Sequence, residues 1–106
     1  MVTDLTEDTF DSFVSSNNCV IVDCWAPWCG PCRRMGPIIE EISKDLHERV
    51  AVGKLDTDEA PGIAARFQIN AIPTLLIFKD NLLIGSLVGL RSKQDILEYL
   101  TLNSII

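Results

Sequence analysis

Short apolar runs alternate with helix-period segments along this chain of 106 residues. The stretch CVIVDCWA, Cys19 to Ala26, is apolar at both even and odd positions, as in a strand covered on both faces. Met35, Ile38, Ile39, Ile42 and Leu46 then recur at helical spacing, which predicts a helix from about Pro31 to His47. Pro37 interrupts that pattern; it lacks an N–H and crowds the carbonyl four residues back, so a kink is expected there. RVAVGKLD, Arg49 to Asp56, reads as a second central strand, and Pro61 to Phe67 as a short helix with proline in its first turn. TLLIFK (Thr74 to Lys79) and LLIGSLV (Leu82 to Val88) form two more strands. Asp80-Asn81 between them tolerates positive φ and signals a hairpin.

At the N-terminal end, Thr6 or Asp8 opens a short helix whose apolar face is Phe10, Phe13 and Val14, ending near Asn17-Asn18. Ser92 with Asp95 resembles a capping box for a last helix with Ile96, Leu97, Tyr99 and Leu100 facing inward. The expected order is β-α-β-α-β-α-β-β-α, the first strand being given no bounds by the pattern. That order implies an α/β fold, a mixed sheet with helices on both faces.

The length predicts one domain over residues 1–106, able to bury roughly 60–70% of its unfolded surface and to fold without disulfide staples. Net charge is −6 with no block of like charges, which argues against a nucleic-acid surface. The opening MVTDLTEDTF is acidic and lacks the apolar core of a secretory signal. No apolar run approaches the ~18 residues of a membrane span. A reducing cytoplasm is the expected location, and clustered cysteines there point to catalysis or metal binding more than to staples.

The chemistry concentrates in VDCWAPWCGPCRRM, Val22 to Met35, which holds three of the four cysteines and both tryptophans. A helix starting near Cys29 aims free N–H groups and a positive dipole end at that sulfur. This favours thiolate, the form that attacks disulfides. Pro31 suits the first turn, and Gly30 permits close approach by another backbone. Cys32 follows three residues later on the same side, within disulfide reach. Asp23 is a carboxyl group in an apolar strand. Burial would raise its pKa, and a group titrating near neutrality could move a proton for Cys32. A plainer reading has Asp23 satisfying a backbone group at the strand end.

WAPWCGPC (Trp25 to Cys32), the preceding Val22-Asp23, Lys54, Ile72-Pro73-Thr74 and Gly89 together resemble the thioredoxin family over essentially the whole chain. C-x-x-C beside a βαβ pattern is generally associated with thioredoxin-like chemistry. The resemblance implies a thioredoxin fold, a central mixed five-stranded sheet flanked by four helices. It implies a general protein-disulfide reductase, a thiol–disulfide oxidoreductase carrying two electrons through a Cys29–Cys32 disulfide. In that pattern Cys29 is the exposed nucleophile and Cys32 the buried resolving thiol. Asp23 is the acid/base group, with Lys54 as its charge partner. Pro73 is a cis proline against the disulfide. Trp28, Gly30, Pro31, Ile72, Pro73, Val88 and Gly89 make the apolar face that docks substrate proteins. The expected partners are disulfide-containing proteins and a thioredoxin reductase that restores the dithiol. No bound cofactor, metal, nucleic acid or membrane is expected, and the chain is expected to be a monomer.

Other readings compete. Lys54 could be an edge lysine extended towards water, and His47 a solvated last-turn residue. Cys24 stands where the family commonly has phenylalanine, and Cys19 is extra. Both are expected to be small buried hydrophobes. At about 16 Å apart along one strand they lie beyond the roughly 7 Å limit for a bridge. Asn81 followed by Leu82-Leu83 predicts a stickier hairpin edge. Arg33-Arg34 add positive charge near the thiols. Cys24-x4-Cys29-x2-Cys32 matches an iron–sulfur spacing, but the fourth cysteine lies upstream and strand and helix would have to converge on one ion. A thiol oxidant or isomerase, or a binding module with idle thiols, would use the same fold.

Overall fold

The computed structural model describes residues 1–106 and contains nine elements. They are β1 (Thr3–Leu5), α1 (Phe10–Ser15), β2 (Cys19–Trp25), α2 (Gly30–Asp45), β3 (Ala51–Asp56), α3 (Pro61–Arg66), β4 (Thr74–Lys79), β5 (Leu82–Val88) and α4 (Lys93–Leu102). The five strands form one mixed sheet in the order β1-β3-β2-β4-β5. β3 runs parallel to both β1 and β2, whereas β4 is antiparallel to β2 and to β5. β2 therefore pairs on both edges, and its apolar residues of both parities find cover on both faces. No helix is long and apolar enough to cross a membrane.

Alternation along β2 divides the interior into two clusters. Ile21 joins Met35, Ile39 and Ile42 of α2 with Ile96 and Leu100 of α4. Val20, Val22 and Cys24 join Phe10, Val14 and Ile63 on the face of α1 and α3. The helical spacing of Met35, Ile39 and Ile42 is thus the face of α2 that packs on the sheet. α2 continues through Pro37, which lies on its exposed face. The hairpin turn follows its residue types: Asp80 and Asn81 have φ of 51° and 67°. Ser92 caps α4, its Oγ accepting from the Asp95 N–H at 3.0 Å.

Several expected bounds shift. The initial strand is only three residues, Thr3–Leu5, too short to carry an alternation signal. α1 starts at Phe10, because Thr6 and Thr9 close a turn on each other first, the Thr6 N–H donating to Thr9 Oγ1 at 2.9 Å. α2 ends at Asp45, so His47 lies past the helix, exposed, with Nδ1 3.2 Å from the Lys44 carbonyl. Cys19 is half-buried, not buried; it starts β2 at the far end of the sheet, its Sγ 3.8 Å from the Ile105 carbonyl. Leu82, Leu83 and Ile84 are exposed on the β5 edge, as the hairpin sequence suggested.

Gly53 shows how tightly the β1 edge seats on the sheet. A methyl group there would approach Leu5 Cδ1 to 2.7 Å and Phe13 Cε2 to 3.1 Å. Gly53→Val is expected to lower stability by about 1–3 kcal/mol through overpacking. Urea denaturation measures this, and an unchanged midpoint would contradict the packing described.

Candidate active site

The site lies at the end of the sheet where β2 delivers the chain to α2. Cys29 is the N-cap of α2, with extended backbone (φ −89°, ψ 113°), and Pro31 sits in the first turn. The Cys29 side chain therefore turns back towards the helix, and its Sγ accepts from the Cys32 N–H at 3.2 Å. Cys29 and Cys32 are joined as a disulfide with Cα atoms 5.3 Å apart. After reduction, the same N–H and the positive end of a 16-residue helix would act on the Cys29 sulfur.

Cys29 was expected to be exposed, and in the oxidised protein it is not. Each cysteine of the pair is only 4% exposed. The N-cap conformation points Cys29 Sγ inward, and it lies 3.8 Å from the Ile72 carbonyl. Exposure belongs to its neighbours: Trp28, 68% exposed, with Pro31 and Val88. Gly30, Ile72 and Gly89 are half-buried. Pro73 is buried behind this rim, and the Ile72-Pro73 peptide bond is cis. The Gly89 N–H donates to the Pro73 carbonyl at 2.8 Å, which ties the end of β5 to the start of β4. Gly89 needs its residue type, since its φ is +93°. The residues expected to form a docking rim thus gather around the disulfide, with Pro73 supporting them from within.

Asp23 occupies the face of β2 that α2 covers. One cluster joins Ile21 and Met35. Asp23 lies two residues beyond Ile21 and Cys32 one turn before Met35, both towards the site end. Asp23 is 4% exposed and its Oδ1 has no hydrogen-bond partner. Burial pushes its pKa up from 3.8 to about 6, and the Lys54 charge pulls the other way. Lys54 stands in register with Asp23 on β3 and with Asp4 on β1. Its Nζ lies 3.7 Å from Asp4 Oδ1 and 5.1 Å from the Trp25 ring centroid. Lys54 is thus an electrostatic neighbour of Asp23, its Nζ resting against Asp4 and the indole.

Cys24 is fully buried on the opposite face, beside the cluster of Phe10, Phe67 and Phe78. Burial, then the Asp23 charge, pushes its thiol up to about 12, so it stays protonated and unreactive. The iron–sulfur alternative fails on this placement: Cys24 points away from α2, which carries Cys32. No three His, Cys, Asp or Glu side chains gather to hold an ion. Asp58 was not among the expected site residues; its Oδ2 accepts from Trp28 Nε1 at 2.9 Å across 30 residues. It sits in the turn after β3, where only the folded topology brings it to the rim.

Residues 1–102 match the thioredoxin family. The M-type chloroplastic thioredoxin of Spinacia oleracea is 43% identical over 96 residues, which cover 90% of this chain and 53% of that one, about half its length. The thioredoxin of Rickettsia bellii is 41% identical over 97% of this chain and 99% of its own. That of Staphylococcus aureus is 41% identical over 91% of each. With a five-stranded mixed sheet, four helices and a disulfide at the head of α2, the chain belongs to the thioredoxin family. It is a thiol–disulfide oxidoreductase by fold and by redox pair.

The raised Asp23 pKa has a consequence for stability with a fixed sign. The folded protein holds this proton more tightly than the unfolded chain, so the contribution is fully present below about pH 4. It is lost as pH rises through about 6. Relative to Asp23→Asn, the oxidised wild-type protein should lose on the order of 2–3 kcal/mol between pH 4 and pH 7.5. Urea denaturation of both proteins at the two pH values checks this; parallel behaviour would contradict it.

Proposed function

We propose that this chain is a general protein-disulfide reductase of the thioredoxin type, acting as a single domain over residues 1–106. The observation that carries this reading is the Cys29–Cys32 disulfide at the N-terminus of α2. The cycle begins from the dithiol. Cys29 thiolate attacks one sulfur of a substrate disulfide, forming a mixed disulfide and releasing the other substrate sulfur as thiolate, which takes up a proton. Cys32 then gives up its proton, with Asp23 as acceptor, and attacks Cys29 Sγ. The second substrate sulfur leaves and is protonated, and the Cys29–Cys32 disulfide returns. Two electrons and two protons have passed to the substrate. A separate thioredoxin reductase supplies two electrons, and two protons are taken up, to restore the dithiol. The chain itself needs no bound cofactor for these steps.

Trp28, Gly30, Pro31, Ile72, Val88 and Gly89 form the docking rim in this reading, with Pro73 beneath it. Lys54 tunes Asp23 by its charge and is not itself a proton carrier to the sulfur. Two unbridged cysteines, Cys19 and Cys24, fit a reducing compartment, and the cytoplasm is the proposed location. The protein acts there as a monomeric electron carrier.

Reduction of insulin disulfides by dithiothreitol should accelerate in the presence of this protein, and Cys29→Ser should abolish the acceleration. Cys32→Ser should instead accumulate mixed disulfides with substrate protein at Cys29, seen on non-reducing gels. A folded protein that neither accelerates the reaction nor traps a substrate would overturn the assignment.

A further inference from the structure

The rim around the thiol pair is electrically two-sided. The chain carries nine Lys and Arg against fifteen Asp and Glu. Lys54, Arg66 and Lys93 are held in ion pairs with Asp4, Asp11 and the Glu41–Asp45 pair. Lys44 and Arg49 lie at the far end of α2, and Lys79 at the far end of β4, on the Ser104 carbonyl. The remaining cations, Arg33, Arg34 and Arg91, follow the two segments that frame the disulfide, and none has a carboxylate within ion-pair distance.

Two of these arginines are fixed in place. Arg33 Nη1 donates to the Pro27 carbonyl at 2.9 Å, next to Trp28. Arg91 donates through Nε and Nη2 to the Val88 carbonyl, at 3.4 and 3.2 Å. Each guanidinium is thus anchored to the backbone of a rim segment and has N–H groups left over for a ligand. Arg33 belongs to α2 and Arg91 leads into α4, the two helices that cover one face of the sheet. Asp95, in the first turn of α4, forms no ion pair with Arg91 and leaves its charge free. Asp95 is thus an acid on the α4 side, whereas Asp56, Asp58 and Glu59 sit on the other side, between β3 and α3, and Asp58 is bonded to Trp28.

We propose that Arg33 and Arg91 select substrates whose disulfide is flanked by acidic side chains, which dock on the α2–α4 side of the rim. This rests on the reductase reading above and names the substrate class for that same site. An overall charge of −6 would repel such a substrate at long range. At ~0.1 M salt, however, the screening length is about 10 Å, so the two anchored cations near the disulfide outweigh the distant acids. Charges at a rim act mostly on the rate of association and on its salt dependence.

The test uses the pre-reduced protein and two synthetic peptides that share one disulfide loop and differ only in flanking Asp-Glu or Lys-Lys pairs. Second-order rate constants for their reduction are measured at ~0.1 M salt. The acidic peptide should react about three- to tenfold faster, in keeping with modest gains per exposed charge. Arg33→Gln with Arg91→Gln should bring the ratio close to one, and so should ~1 M salt. Lys44→Gln with Arg49→Gln, which removes the same number of positive charges at the far end, should leave the ratio intact. Equal rates for the two peptides with insulin still reduced would overturn the proposal alone. So would a ratio that survives the Arg33 and Arg91 substitutions or falls equally with those of Lys44 and Arg49. Failure to reduce either peptide or insulin would overturn the reductase reading and this proposal with it.

Discussion

The site depends on a carboxyl group buried without a full set of partners. Asp23 sits in the middle strand of the sheet, under α2, with one oxygen unpaired. Burial at this level opposes ionisation and moves the group's titration close to neutrality. A purely structural sequence would place an aliphatic residue there, as it does at Val20, Ile21 and Val22. The cost of keeping the acid is set by the same packing that keeps Cys32 dry. Strain of this kind, tolerated in a core, marks a functional position more often than a structural one.

The helix that buries Asp23 also prepares the sulfur. α2 starts where β2 ends, so one short connection sets the distance between carboxyl and thiols. The Cys29 sulfur serves as the N-cap, a place where an N–H group already points at it. The sixteen residues of α2 bring the dipole, and the Met35–Ile39–Ile42 face locks the helix to the sheet. Trp28, Pro31 and Val88 stay outside while the sulfurs do not. The redox pair is therefore sheltered by its own helix and ringed by three separate segments.

Much of this could be read from the residues. Apolar spacing located β2, β4, β5 and the inward face of α2, because burial on a sheet or helix imposes a period. Asp80-Asn81 and Ser92 marked the last hairpin and helix through their backbone preferences. The thiol pair, Asp23 and the cis peptide bond at Pro73 followed from local motif and family resemblance. What escaped was long-range. The three-residue β1 is too short for a period. The burial of Cys29 depends on how α2 docks. The Asp58–Trp28 bond joins positions that only the topology brings together. Cys24 and Cys19 look alike in sequence, yet one is sealed beneath α1 and α3 and the other sits at a strand end.

The most direct test of this account is the titration of the Asp23 carboxyl in the oxidised protein, followed by carbon-13 NMR with Asp23→Asn to assign the signal. The buried, unpaired arrangement predicts a midpoint near 6. A midpoint near the ordinary carboxylate value of 3.8 would mean that Asp23 is solvated or paired, and would contradict the claim that α2 holds a proton-exchanging acid beneath the disulfide.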